Sequence, residues 1–179
     1  MNVLDRLTAT SRHIALLVAM VATCGSLFFS EVLRWIPCEL CWQQRVLMYP
    51  LALILLVGIV IDDRRVHFYG LPLALGGVIV SLYHYLEVLK VLPPSPCLGG
   101  VPCSLDYLTP ILTGPWSFIK IPFLALVAFS MISVMLGNYA LAGAPATAPS
   151  ARRLAISSAV GIVVATSVIF VLLGVWLRM

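Results

Sequence analysis

Five stretches of the chain are almost free of charge: residues 14–33, 46–61, 68–86, 121–141 and 154–177. A helix needs about 20 apolar residues to cross the hydrocarbon layer of a bilayer. Four runs reach that length or come close, and 46–61 reaches it by borrowing the preceding turn. Glu31, near the end of the first run, is the one charge within the five. No water is available in hydrocarbon, so every backbone group must bond inside its own segment, and each run is predicted to be a helix. Pro50, Pro72 and Pro122 fall near the predicted helix starts, where a missing N–H costs least. Residues 142–150, rich in Ala, Pro, Gly, Thr and Ser, read as the core of a flexible linker, 142–153, before the last span.

Composition agrees. Of 179 residues, 61% are hydrophobic and 10% charged, with mean hydropathy +1.07. A soluble domain carries about 25% charged residues, so that class is excluded, as are disordered, collagenous and small disulfide-rich secreted chains. The expected fold class is an all-α membrane protein. The net charge of +4 comes from basic residues that stand singly or in two pairs. They form no patch for nucleic acid and read as topology signals.

Five spans put the two termini on opposite sides. With the N-terminus in the cytoplasm, inner segments carry Arg6, Arg12, Arg64, Arg65, Arg152 and Arg153. Outer segments carry Arg34, Arg45, Lys90, Lys120 and Arg178. Both Arg-Arg pairs then lie inside, as the positive-inside rule favours. Cys38, Cys41, Cys97 and Cys103 fall on the outer, oxidising side, in loops spanning about 34–41 and 91–120. Val21-Ala22-Thr23-Cys24 has some likeness to a lipoprotein cleavage site. The apolar run continues past it, so a retained span is expected, with Cys24 a small buried apolar residue.

The first cysteine pair stands in Pro37-Cys38-Glu39-Leu40-Cys41-Trp42-Gln43-Gln44-Arg45, directly before an apolar helix. A helix starting near Cys38 puts both thiols in its first turn, where unpaired N–H groups and the dipole favour a thiolate. C-x-x-C spacing permits an exchangeable disulfide there. Cys41, Gln44 and Arg45, at i, i+3 and i+4, share one helix face. On that face Arg45 can hold the Cys41 thiolate and donate to a carbonyl ligand; the plainer role is snorkelling to head groups.

The second pair, Cys97 and Cys103, brackets Leu98-Gly99-Gly100-Val101-Pro102, a loop sequence able to close a small, accessible disulfide ring. The stretch after it, residues 105–119, suits a segment lying at the membrane interface. All four thiols also have spacings that permit one zinc ion, and static disulfides are a further alternative. His84, near the outer end of the third span, is either satisfied by Glu87 at i+3 or serves a redox ligand as hydrogen-bond partner or proton relay. Two exchangeable pairs on one side of a membrane suggest a relay from a soluble dithiol, through the loop pair, to the C-x-x-C pair, and onward to a lipid-soluble acceptor.

These motifs together resemble the DsbB/BdbC disulfide-bond formation family. The resemblance rests on residues 37–45 at the second span, Tyr83-His84-Tyr85 in the third, Cys97 and Cys103 in the next loop, and Ile121-Pro122-Phe123-Leu124-Ala125 opening the fourth. It runs from about Arg12 to Gly137. It implies a four-helix transmembrane bundle over residues 1–141 and a thiol:quinone oxidoreductase of the bacterial plasma membrane. The cofactor would be ubiquinone or menaquinone. The partner would be a soluble, DsbA-like thioredoxin-fold oxidase outside the cytoplasm. Cys41 is similar to the family's quinone-facing cysteine, with Cys38 as its disulfide partner. Arg45 matches the arginine that supports quinone reduction, Gln44 shares its face, and His84 matches a quinone-proximal histidine. Cys97 is similar to the cysteine that bonds the soluble partner, with Cys103 beside it. No resident metal is implied. The short Cys97–Cys103 spacing is nearer the BdbC type. The 154–179 segment adds a fifth helix beyond the four-helix core. A vitamin-K-epoxide-reductase-like enzyme would carry its C-x-x-C late, after the loop pair, and the order here is reversed.

Overall fold

The structure, a computed structural model, describes residues 3–93, 101–108 and 114–178. Its helices are α1 (Val3–Leu27, continued by a π-helical turn at Phe28–Val32), α2 (Glu39–Val60), α3 (Val66–Val88), α4 (Ile121–Leu141) and α5 (Pro149–Trp176). All five spans are long and apolar enough to cross a membrane. The protein is an all-α, multi-pass membrane protein.

Helices α1 to α4 form a ring in which each packs on the next and α4 closes on α1, while α5 lies outside against α1 and α2. Apolar burial drives little association in lipid, so close backbone approach and van der Waals contact must hold such a ring. The α3 sequence provides for this. Its buried positions Gly70, Ala74, Gly77, Ser81 and His84 recur at intervals of four and three on one face. A Cβ at Gly77 would stand 2.2 Å from the Phe129 ring of α4, and one at Gly70 would stand 3.0 Å from Leu136. The fully buried Phe129 therefore fills a notch that only glycine leaves open. Continued one turn, the same stripe carries His84 into the bundle interior.

The helix ends are closed by local geometry. After α2, Asp62 takes a left-handed conformation (φ +55°). Its N–H bonds the Ile59 carbonyl and the Asp63 N–H bonds the Gly58 carbonyl, the paired pattern that satisfies terminal carbonyls. Lys90 after α3 (φ +60°) and Gly143 after α4 (φ +79°) repeat it. Asp tolerates this conformation better than most residues, and here it aims the carboxylate back at the bundle. Arg12 of α1 donates to Asp62 at 2.8 Å and to the Thr147 hydroxyl at 2.9 Å. The Thr147 N–H and hydroxyl also reach Asp62. Arg64 donates to the Ala144 carbonyl at 2.7 Å, and Asn138 to Ser11 at 3.0 Å.

Arg12, a topology signal in the sequence, is also a buried structural residue. The helix begins earlier than the apolar run, and Arg12 is buried within it, over the Tyr139 ring at 4.8 Å. The connection to the last helix is also shorter than the expected 142–153. Pro149 opens α5 in its first turn, where its fixed φ and missing N–H suit a helix start. Phe170 of α5 meets Phe28 edge-on at 5.9 Å, and Gly174 lets α5 approach Val32. Helix α1 runs unbroken through Cys24.

Candidate active site

At the opposite end of the ring from Asp62, Cys38 is the N-cap of α2, with extended backbone (φ −73°, ψ 175°). An N-cap side chain normally accepts from the N–H three residues on. Here the Cys38 sulfur takes that place and accepts from the Cys41 N–H at 3.4 Å. The capping geometry also draws the two sulfurs together, to 3.0 Å. Cys38 and Cys41 are free thiols, as is Cys24. The Cys38 thiol is held well below its ordinary range, at about 5. The Cys41 thiol as hydrogen-bond partner is the main cause; burial opposes it, and His84 and the Cys41 N–H add to the lowering. The lowering at Cys38 comes more from a side-chain partner than from the helix-start N–H on which the sequence expectation rests.

His84 is buried at the end of the α3 stripe. Its Nε2 lies 3.6 Å from the Cys38 sulfur and 3.1 Å from the Cys103 carbonyl oxygen. Its Nδ1 lies 3.1 Å from the Gln44 amide nitrogen. An amide N–H donating to Nδ1 fixes the proton on Nε2. That N–H then faces both the Cys103 carbonyl and the Cys38 sulfur. None of these hydrogen bonds goes to Glu87, the partner that i+3 spacing suggests.

Cys103 is disulfide-bonded and almost wholly buried. It shares one apolar cluster with Cys38 and Leu40, packed by Cys41, Val80 and Val101. Cys97 lies outside the described residues. The loop carrying Cys103 is held in place by neighbouring contacts. The Tyr107 hydroxyl donates to the Ile36 carbonyl at 3.1 Å, and its ring stacks on Trp35 at 5.2 Å. Asp106 and Lys120 form an ion pair.

Gln44 and Arg45 turn to different neighbours. Adjacent helical residues point about 100° apart, so Gln44 faces α3 and His84 while Arg45 faces α1. Arg45 donates to the Ser26 carbonyl at 3.0 Å and lies over the Trp42 ring at 5.1 Å. The guanidinium ties two helices and, among the described residues, leaves its buried Nε without a partner. Ser26 lies in the turn before the π-helical segment, and π-bulges often mark functional positions. Ser26 was not singled out from sequence; a serine inside an apolar run was the available signal. The α3 small-residue stripe was the signal for His84 burial.

Cys38, Cys41, Gln44, His84 and Cys103 therefore meet at one end of the bundle, with Arg45 on the adjoining face. Thiols beside a disulfide-bonded cysteine are groups capable of thiol–disulfide exchange.

Comparison with known proteins agrees. The chain is 49% identical over 124 residues to disulfide bond formation protein C of Bacillus subtilis (strain 168), covering 66% of this chain and 84% of that protein. It is 41% identical over 138 residues to the probable disulfide formation protein of Oceanobacillus iheyensis, covering 74% and 92%. It is 42% identical over 119 residues to probable disulfide formation protein C 1 of Bacillus anthracis, covering 65% and 81%. No solved structure matches it significantly. The family model for disulfide bond formation protein DsbB matches residues 9–136, which takes in most of α1, all of α2 and α3, most of α4 and every residue of the site. With its cysteines gathered at one end of a four-helix membrane ring, the chain belongs to the DsbB family of disulfide bond formation proteins.

Proposed function

We propose that the protein is a thiol:quinone oxidoreductase that reoxidises a soluble, DsbA-like thiol oxidase outside the cytoplasm. The observation that carries this reading is the packing of disulfide-bonded Cys103 and free Cys38 in one buried cluster, with the His84 Nε2 between them.

The relay is balanced at each step. The reduced partner attacks the loop disulfide at Cys97, forming a mixed disulfide and releasing Cys103 as thiolate. A second partner thiol then displaces Cys97, so the partner leaves oxidised and the loop pair is reduced. The loop dithiol next reduces a Cys38–Cys41 disulfide by the same exchange. Two electrons and two protons now sit on Cys38 and Cys41, and the loop disulfide is restored. Each displacement goes faster when the departing thiol is acidic, and the low range of Cys38 suits it to leave. His84 holds Cys38 through Nε2–H, and Gln44 fixes the tautomer that makes this possible.

The residues fit a quinone. Cys41 and Arg45 are one helical turn apart at the end of a span, and the buried Nε of Arg45 is a donor in want of an acceptor, as a quinone carbonyl would supply. Trp42 and Val46 are exposed beside them, on the side open to lipid. A quinone bound there, ubiquinone or menaquinone, supplies a two-electron, two-proton acceptor. A thiol end outside the cytoplasm fits this role, and the positions of Arg64, Arg65, Arg152 and Arg153 near the other end support that orientation.

The test is quinone reduction by the purified full-length protein in detergent, with a reduced thioredoxin-fold oxidase as donor and Cys41→Ser alongside. Catalytic loss of quinone absorbance that depends on Cys41 is expected. No turnover with either quinone, in protein shown to be folded, would overturn the reading.

A further inference from the structure

We propose that the reduced Cys38–Cys41 pair and His84 form a redox-gated site for a thiophilic cation, with Zn(II) as the natural candidate. The two sulfurs and a ring nitrogen of His84 all lie within 4.8 Å of one another. They come from two helices of the ring, and two of the three residues are buried. Two thiolates and an imidazole are a donor set that zinc prefers, and a fourth position is left open.

The distances are close to what a tetrahedral ion needs. Zinc binds sulfur at about 2.3 Å and imidazole nitrogen at about 2.0–2.1 Å, so tetrahedral angles require about 3.6 Å from sulfur to nitrogen and about 3.8 Å between sulfurs. The Cys38 sulfur is 3.6 Å from the His84 Nε2. The sulfurs, 3.0 Å apart, need to separate by less than about 1 Å, a rotation of the Cys41 side chain. Ligation through Nε2 moves the ring proton to Nδ1. Gln44, now donating to Nδ1 at 3.1 Å, then turns its amide so that the oxygen accepts, the outer contact that zinc-bound histidines commonly have. Both thiols give up their protons to solvent, and no electron is transferred.

The gate follows from chemistry. A Cys38–Cys41 disulfide has no thiolate to offer, so the site exists only in the reduced pair. A bound ion occupies the sulfur lone pairs and holds that pair reduced. Zinc is thus expected to arrest the protein with electrons on α2, an effect outside the relay itself and independent of whether a quinone takes them.

The experiment titrates the full-length protein in detergent, reduced by a phosphine, first with Co(II) as a spectroscopic probe and then with Zn(II). One Co(II) per chain with thiolate-to-cobalt charge-transfer bands is expected, displaced by Zn(II) and absent from the oxidised chain. His84→Gln is expected to weaken Co(II) binding about tenfold or more, and a Cys97→Ser/Cys103→Ser variant is expected to keep it. Equal binding to the oxidised chain, or unchanged binding in His84→Gln, would overturn the proposal. So would loss of binding in a folded Cys97→Ser/Cys103→Ser variant, which would assign the ion to all four thiols. Should that double variant not fold, His84→Gln in the otherwise intact chain decides. The readout involves no quinone, so failure here and failure of the oxidase reading are told apart.

Discussion

The two ends of the helical ring are built from different bonds. At one end Arg12, Asp62 and Thr147 join α1, the α2–α3 turn and the segment before α5 by ionic and hydroxyl hydrogen bonds of 2.8–3.0 Å. At the other, Cys38, Cys41 and His84 meet through sulfur at 3.0–3.6 Å. Oxygen and guanidinium groups make strong, charge-assisted bonds that fix geometry. Sulfur bonds are weak and exchangeable. The contrast fits a division of labour under the proposed function, in which one end holds the ring and the other is left to exchange partners.

The largest effect that tests this division is expected from Cys41→Ser. It should bring quinone reduction to background while the thermal midpoint in detergent stays near that of the unaltered chain. A large fall in the midpoint would mean that the thiol end also holds the fold.

Asp62→Ala addresses the other end. Removing the carboxylate of this part-buried ion pair takes away the charge-assisted partner of Arg12 and is expected to cost about 2 kcal/mol, read as a lowered unfolding midpoint with turnover per folded molecule unchanged. Asp62 adds a pH signature. Burial pushes its carboxyl up, but hydrogen bonds from Arg12 and Thr147 outweigh this and hold it below the ordinary value. A depressed folded value gives stability that is complete above about pH 4 and is lost as pH falls through the folded value. The Asp62→Ala chain should lack that acid-sensitive increment. Collapse of turnover at unchanged stability would show that the two ends are coupled.

Arg45→Ala is expected to be milder. Both disulfides should still form, and the apparent quinone affinity should drop about tenfold, the worth of one charge-assisted hydrogen bond. Unchanged quinone dependence would leave Arg45 only its tie to Ser26.

The smallest expected effect is a displaced pH profile. Alkylation of Cys38 in the reduced chain should be nearly constant through neutral pH and fall with a midpoint of about 5. Replacing His84 with Ala should move that midpoint up towards the ordinary thiol range. A midpoint near that range in the unaltered chain would remove the thiolate from the relay.

Residues at these two ends also differ in how legible they were. Cys38 and Cys41 carry their meaning locally: spacing three, at a helix start after Pro37, brings two sulfurs together in any chain. Helix α4 was read to its residue limits, because Lys120 and the glycine-bearing turn after Leu141 bound an uninterrupted apolar run. Arg12 reads in the sequence only as a topology signal, and its burial is not legible there because its counter-ion stands fifty residues away. For His84 the i+3 spacing offers Glu87, whereas its hydrogen bonds come from α2 and the cysteine loop. Gln44 and Arg45 were placed on one face, and the helix turn between them sends each to a different neighbour.

What the sequence determined by itself is what one helix can determine. Lack of water in hydrocarbon forces each apolar run into a helix, and C-x-x-C at a helix start forces two thiols into contact. Tertiary structure alone decided which helices are neighbours. Without a hydrophobic drive between helices in lipid, that choice falls to shape, and the notch at Gly77 filled by Phe129 sets the position of α3 against α4. That fit helps set where His84 stands, between Cys38 and the Cys103 carbonyl.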